Sequence, residues 1–274
     1  MYRVRDRVRH AAEVLQLAAQ KNLAVDYKKL VRLSTVDLRS AFVSISDEDW
    51  LPVQAALNPL MQRSPSAKTS SGALNQGDRR ALYCLIRHFK PQRVLEIGTH
   101  LGSSTLYISA ALKRNARDGA PGQMLTVDVV DVNAPDAAWA RTGALRTPRQ
   151  MLEEFGTADL VRFHVADSLQ FLRSNQEQQF DFCFLDGNHS AKWVYNEVQL
   201  VQRALRPGSV ILLHDFFPDA KPLWQNTTAL RGPWMAINRL RREGSAIEVL
   251  PLGSLPWPTK ARTSITSLAL LGRG

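Results

Sequence analysis

The chain has 274 residues, 45% of them apolar, and its 35 Lys and Arg against 25 Asp and Glu give a formal charge of +10. That supplies a sizeable core for one large domain or two small ones, while no apolar run reaches the length that crosses a membrane. The opening MYRVRDRVRH lacks the apolar segment of a secretory signal, and the two cysteines, Cys84 and Cys183, sit in apolar runs without metal spacing. Buried thiols, a soluble protein and a cytoplasmic setting are therefore expected.

In chain order, residues 1 to about 62 read as helical, with Val8, Ala11, Ala12, Leu15, Ala18 and Ala19 at helical spacing and Leu30, Leu33 and Leu38 continuing it. The Ser-rich stretch RSPSAKTSSG, 63–72, reads as a linker or lid. Asn75 with Asp78 has the form of an N-cap followed by a first-turn acid, opening the helix DRRALYCLIRHF before Pro91. From Pro91 onward, apolar β-rich runs alternate with helical patterns, as in parallel βαβ units. The expected strands are RVLEIG, MLTVDVVDV, LVRFHVA, FDFCFLD and SVILLHDF, with AIEVLPL and SITSLALLG as a closing antiparallel hairpin. The expected helices between them are STLYISAALKRN, TPRQMLEEFG and AKWVYNEVQLVQRALRPG, the last stopped by Pro-Gly. The chain thus divides into a helical extension and linker, 1–72, and an α/β domain with a Rossmann-like, doubly wound, seven-stranded sheet, 73–274.

Ligands of such sheets bind outside the carboxyl ends of the strands, and each expected strand ends in something polar. The first gives LEIGTHLGSST, in which Gly98 and Gly102 free the backbone to turn tightly, and the amides of a helix start follow. Three residues separate those glycines, so the dinucleotide fingerprint G-x-G-x-x-G is absent, which argues against NAD. Asp128 ends the second strand, where a carboxylate can accept both ribose hydroxyls; alone it also fits a solvated turn. FLDGNHSAKWVY, 184–195, then sets Asp186, Asn188, His189 and Lys192 directly after a buried run.

VLEIGTHLGSST, LTVDV, VADS and FLDGNH together resemble, in order and spacing, the class I S-adenosylmethionine-dependent methyltransferases. More narrowly they are similar to the catechol and caffeoyl-CoA O-methyltransferases and the sugar O-methyltransferases of antibiotic pathways, over about residues 72 to 216 plus the hairpin. The resemblance implies that Gly98, Thr99, Gly102 and Ser104 wrap the methionine portion of the cofactor, with Glu96 buttressing the glycine loop. It further implies that Asp128 holds the ribose and that Asp167 and Ser168 edge the adenine. A divalent cation such as Mg2+ would sit on Asp186 together with His214 and Asp215 of LLHDFF, and a homodimer is implied. His214 departs from the pattern, since relatives carry an acid there; an imidazole disfavours magnesium and admits zinc, iron or no metal.

Methyl transfer to an alcohol needs the oxygen partly deprotonated and in line with the sulfur–methyl bond. Asp186 and His189 are the expected reaction-centre residues, His189 as general base because imidazole titrates near neutrality. Asn188 is expected to shape the turn, Trp193 and Tyr195 to pack, and His100 to face solvent; Lys192 fits either a pocket wall or a solvated position. The expected activity is O-methylation of a small phenolic or sugar hydroxyl. Its rivals are a methyltransferase of RNA or protein docking through the basic RLRREG segment, and a non-catalytic nucleoside-binding module. The +10 charge is spread along the chain, and RLRREG reads more simply as a solvated helix face, so nucleic acid is not the expected partner. The acceptor pocket is expected between the N-terminal helices, the 63–72 linker and the Pro- and Trp-rich segment FFPDAKPLWQNTTALRGPW. Removing residues 1–60 is expected to spare the cofactor fold and abolish turnover.

Overall fold

The computed structural model describes residues 2–65, 67, 73–177, 179–225 and 228–274, with side chains from His10 onward. Ser66 and 68–72, most of the expected linker or lid, lie outside the described residues.

The apolar β-rich runs form strands β1 Arg93–Ile97, β2 Gln123–Asp128, β3 Val161–Val165, β4 Phe180–Leu185, β5 Leu205–Leu213, β6 Glu248–Pro251 and β7 Ala269–Gly272. They make one seven-stranded sheet in the order β3-β2-β1-β4-β5-β7-β6. β1 to β5 are parallel, while β7 runs antiparallel between β5 and β6. The order reverses between β1 and β4, which opens the crevice beyond their carboxyl ends where α/β sheets bind ligands.

The helices are α1 Tyr2–Ala18, α2 Leu38–Val43, α3 Asp47–Leu57, α4 Gln76–Phe89, α5 Ser103–Arg117, α6 Ala138–Arg141, α7 Pro148–Phe155, α8 Ser168–Ser174, α9 Ala191–Val201 and α10 Gly232–Arg242. Their ends follow local chemistry. Asn75 caps α4 by accepting the Asp78 N–H, α7 opens with a capping box between Thr147 and Gln150, and Gly156 closes α7 in the left-handed conformation. Alternate residues of the inner strands face opposite layers: Val94, Phe182, Phe184, Val210 and Leu212 pack toward α4 and α5, and Leu95, Cys183, Leu185, Ile211 and Leu213 toward α8, α9 and α10. Both cysteines are buried free thiols, and burial pushes Cys84 up to about 12. Among the described residues, no helix is long and apolar enough to cross a membrane.

Two expectations need correction. The helix read over 191–208 ends at Val201, and after one 3-10 turn β5 begins at Leu205. Leu205 is buried opposite Phe180, and the Pro207-Gly208 pair, with Gly208 at φ +82°, lies where the β4–β5 register shifts. The proline therefore marks a bulge inside a strand rather than a helix end.

The second concerns residues 19–32, which are not helical. Residues 30–32 run beside the sheet: Val31 N–H donates to the Ser209 carbonyl, Ser209 N–H to that of Lys29, and Arg273 N–H to that of Val31. Leu30 is buried by that pairing, whereas its helical spacing had assigned it to a helix face. The rest of the extension also shares the core. Phe42, Trp50, Leu57 and Leu60 pack in the cluster that holds Val94 and Phe184, and α1 lies on α9.

The basic RLRREG segment closes α10. Arg239 is folded inward, donating to the Leu17 and Gln20 carbonyls and to Glu243 Oε1 (2.6 Å) while its guanidinium covers the Tyr195 ring. The densest part of the basic cluster thus spends one of its charges on holding α1 against α9 and α10.

Candidate functional site

A cleft of about 520 Å3 opens across the carboxyl ends of β1, β2 and β4. Its floor is the β1 turn. Gly98 has φ +95°, and a Cβ there would lie 2.4 Å from the Asp186 carbonyl oxygen, so only glycine lets the ends of β1 and β4 meet so closely. Gly98, Thr99 and Ser104 line the cleft, with α5 starting at Ser103 so that its free amides face it. Thr99 contributes backbone only, because its hydroxyl turns away to Thr126 Oγ1 at 2.5 Å. Gly102 does not line the cleft. At φ +71° it starts α5, and a Cβ there would strike Pro148 at 2.7 Å, so its smallness serves the seating of α7 on α5.

Glu96 lies beneath the turn, fully buried, and accepts hydrogen bonds at Oε2 from Thr105 and Thr126, both at 2.6 Å. Burial raises it to about 7 against the hydroxyls of Ser104, Thr105 and Thr126, and the Asp186 charge adds to the rise. It buttresses the loop from behind rather than lining the cleft. Asp128, at the end of β2, does line it. Its Oδ2 accepts the His100 N–H at 2.9 Å and its Oδ1 the Val130 N–H at 3.2 Å, which aims the carboxylate across the cleft. His100 is exposed at the rim with φ +47°.

Asp167 and Ser168 form a third wall, where Asp167 caps α8 through the Gln170 N–H. The Ser168 hydroxyl points away from the cleft to Glu197 Oε1 at 2.5 Å, leaving its backbone to face a ligand. Glu197 is buried in α9. That burial pushes it up to about 8 despite the Ser168 hydrogen bond, with the Asp167 charge adding to the rise.

At the far end of the cleft a polar cluster gathers Asp186, His189, His214 and Asp215. His214 Nδ1 lies 2.8 Å from Asp186 Oδ1 and 3.7 Å from Asp215 Oδ1, and its Nε2 lies 3.6 Å from Asp78 Oδ2. His189 Nε2 lies 3.5 Å from Asp215 Oδ2 and 3.8 Å from Asp186 Oδ1. Asp215 sits at φ +53° and takes the Ser267 hydroxyl at 3.2 Å. Burial opposes a charge on His214, but the Asp186 carboxylate, with Asp78 and Asp215, more than offsets it and holds the ring well above the usual histidine range.

Asp186, His214 and Asp215 come together in this cluster, with His214 Nδ1 on Asp186 Oδ1 and its Nε2 toward Asp78. Among the described residues, no group of three His, Cys, Asp or Glu is arranged to hold a metal ion.

Asn188 shapes its turn as expected, accepting the Ser190 N–H at 3.0 Å, and Tyr195 is buried with its hydroxyl on Glu243. Trp193 packs against the core as expected and also lines the cleft, with the Lys192 ammonium over its ring. Asp78 and Lys260 were not read as site residues. Asp78 shows in the sequence only as a first-turn acid, although it is 1% exposed and reaches the cluster. Lys260 stacks on Trp224 at 3.6 Å, near enough to Asp78 and Asp215 to feel their charge, and nothing local in the sequence marks it.

A second cleft, of about 600 Å3, shares Gly187, Asn188 and His189 with the first. Its other walls are His10 and Glu13 of α1 and residues between Ala220 and Gly232. The N-terminal helix and the Pro- and Trp-rich segment thus meet at His189, while no residue of the 63–72 stretch is among the lining residues; 226 and 227 lie outside the described residues.

Residues 95–216 match the family described as Methyltransferase domain. Among curated proteins, the chain is similar to the rhamnosyl O-methyltransferase of Mycobacterium leprae (strain TN), 26% identical over 160 residues, covering 58% of this chain and 62% of the relative. It is also similar to that of Mycobacterium tuberculosis (strain ATCC 25618 / H37Rv), 26% identical over 159 residues, 58% of this chain and 59% of the relative. The chain thus spans about three fifths of the length of these relatives. Among solved structures, an O-methyltransferase from Bacillus cereus in complex with S-adenosylhomocysteine aligns with TM-score 0.53 and 18% identity, over 88% of this chain and 93% of that one. An O-methyltransferase of tomaymycin synthesis from Streptomyces achromogenes, in complex with S-adenosylmethionine, aligns with TM-score 0.52 and 20% identity, over 83% and 98%. These two share the fold.

Proposed function

We propose that residues 95–216, which match the methyltransferase-domain family, form a class I methyltransferase domain, and that the protein transfers the methyl group of S-adenosylmethionine to a hydroxyl of a small molecule, a sugar or a phenol. The observation that carries this proposal is the junction at Gly187, Asn188 and His189, which line both the nucleoside-sized cleft and the second cleft under α1, with His189 supplying the titratable side chain there. The rhamnosyl relatives favour a sugar acceptor. So does His10, whose Nδ1 is buried in the second cleft without a hydrogen-bond partner among the described residues, a demand that a hydroxyl meets.

In this proposal the ribose rests on Asp128, the adenine on the backbone at Asp167 and Ser168, and the methionine portion on Gly98 and the start of α5. The sulfonium then lies at Asp186. As the methyl group passes from sulfur to the acceptor oxygen, the O–H bond breaks toward the His189 imidazole, the O–C bond forms, and the S–C bond leaves its electrons on a neutral thioether. Asp215 and Asp186 flank His189 and stabilise the imidazolium so formed. No step passes through a metal. A homodimer, as the resemblance implies, is part of the proposal and is read by light scattering.

Methyl-labelled S-adenosylmethionine offered with a panel of deoxysugar glycosides and catechols should yield methyl ethers, and calorimetry should show S-adenosylhomocysteine binding that Asp128→Ala weakens by about tenfold or more. Equal affinity in the Asp128→Ala variant would remove the assignment of the cofactor cleft. Label appearing on nitrogen acceptors alone would remove the hydroxyl.

A further inference from the structure

Three guanidiniums stand together beside the cofactor cleft, away from the reaction centre. They line a smaller pocket of about 180 Å3: Arg63, Arg79 and Arg146 share its wall with Leu101, Met151 and Ser103, and no Asp or Glu is among its lining residues. Ala73, Leu101 and Ser103 line the cofactor cleft as well, so the two spaces adjoin at the start of α5. A volume so small excludes a nucleoside and admits a carboxylate-sized group.

The three arginines are not equivalent. Arg63 donates from Nε (2.9 Å) and Nη2 (2.6 Å) to the Thr142 carbonyl, and Arg146 Nε donates to the two Glu154 oxygens at 2.8 and 2.7 Å. Arg79, half-buried on α4, makes no ion pair among the described residues, and its Nε is buried there without a hydrogen-bond partner. Burial pulls its guanidinium below the usual arginine range, and the neighbouring Tyr107 hydroxyl offsets only part of that. A cation held so is costly, and a bound anion relieves the cost. The first turn of α5, which begins at Ser103, adds its partial positive charge. Arg63 and Arg79 both precede residue 95, outside the segment that matches the methyltransferase family.

We propose that this pocket is an oxyanion site and that Arg79 is its anchoring residue, taking a carboxylate that enters from the adjoining cleft: the one at the amino-acid end of S-adenosylmethionine. The proposal rests on that cofactor binding in the cleft, and it adds a second fixed point. With the ribose on Asp128 and the carboxylate on Arg79, the sulfonium between them is held from both ends. A separate phosphate offers the pocket the same chemistry, and the experiment tells the two sources apart.

The test compares, by calorimetry, S-adenosylhomocysteine with its carboxyl methyl ester, which keeps the nucleoside, thioether and ammonium and loses only the negative charge. The wild type should bind the acid about tenfold or more tighter than the ester. In Arg79→Gln that preference should shrink to about twofold or less while the affinity for the ester stays unchanged. An arginine that served the fold alone would weaken acid and ester equally when replaced, and a preference left standing in the variant would overturn the proposal. Arg79→Met gives the same reading if Arg79→Gln does not fold, and equal affinity of the wild type for acid and ester would overturn the proposal without any variant.

Potassium phosphate titrated into the wild type presaturated with S-adenosylhomocysteine should give no saturable heat. Saturable phosphate binding that is lost in Arg79→Gln would hand the pocket to a separate anion and overturn its assignment to the cofactor. Failure of S-adenosylhomocysteine itself to bind the wild type would instead overturn the functional proposal on which this one rests.

Discussion

Replacing Glu197 by Gln should make the protein more stable, and by an amount that grows with pH. Glu197 is buried in α9 with the Ser168 hydroxyl on its Oε1, and burial pushes its carboxyl from 4.5 to about 8. In the unfolded chain the group loses its proton near the lower value, whereas in the folded protein it keeps the proton until the higher one. Below the unfolded pKa both states are protonated and folding carries no penalty from this residue. Between the two values the unfolded state alone ionises, so stability falls by about 1.4 kcal/mol per pH unit and levels off above the folded pKa. A rise from 4.5 to about 8 corresponds to about 5 kcal/mol in full. Gln retains an acceptor for Ser168 and cannot ionise. Urea unfolding followed from about pH 5 to about pH 7 should therefore show the advantage of Glu197→Gln increasing by about 2 to 3 kcal/mol across that interval. An advantage independent of pH would mean that Glu197 is ionised in the folded protein, and the account of its burial would be wrong.

Gly98→Ala combines a backbone at φ +95° with a Cβ 2.4 Å from the Asp186 carbonyl oxygen. It should cost about 2 kcal/mol or more of stability and most of the S-adenosylhomocysteine affinity, and calorimetry on folded variant protein showing wild-type affinity would contradict this. His189→Ala should lower kcat by about a hundredfold with cofactor affinity intact; rapid-quench measurement of the chemical step decides it, and an unchanged rate would make His189 a wall of the cleft only. Removing residues 1–14 takes away His10 and Glu13 but leaves Leu17 and Gln20, whose carbonyls hold Arg239. Acceptor KM should rise about tenfold with cofactor affinity unchanged, and equal steady-state constants for both substrates would sever α1 from the acceptor pocket. The longer truncation at residue 60 tests something else: it strips Leu30, Trp50 and Leu57 from the core and should unfold the chain, which circular dichroism would show.

The strands and their order of polar ends were legible because β-rich runs alternate with helical ones and each run closes on Gly98, Asp128, Asp167 or Asp186. Those signals are local. Leu30 was misread because a single buried leucine fits a helical face as well as an extended pairing with Ser209, and only the neighbouring strand decides between them. Pro207-Gly208 was misread because the pair signals a break without saying whether helix or strand is broken. Asp78 carried a correct local meaning, the first-turn acid capped by Asn75, and that meaning hid its second partner, His214, more than a hundred residues further on. Thr99 and Ser168 occupy their expected places while their hydroxyls turn to Thr126 and Glu197. Position along the chain fixes where a residue stands, but side-chain direction depends on what the next layer offers.

The placement of β7 ties the polar centre to a strand far along the chain from the β1 turn. β7 follows the other six strands yet lies inside the sheet between β5 and β6, and two residues before it stands Ser267, which holds Asp215. The two ends of the cleft therefore depend on different parts of the chain: were β7 unpaired, β5 would have an open edge and Asp215 would lack the Ser267 hydroxyl, while Gly98 and Asp128 would keep the partners they have in β1, β2 and β4.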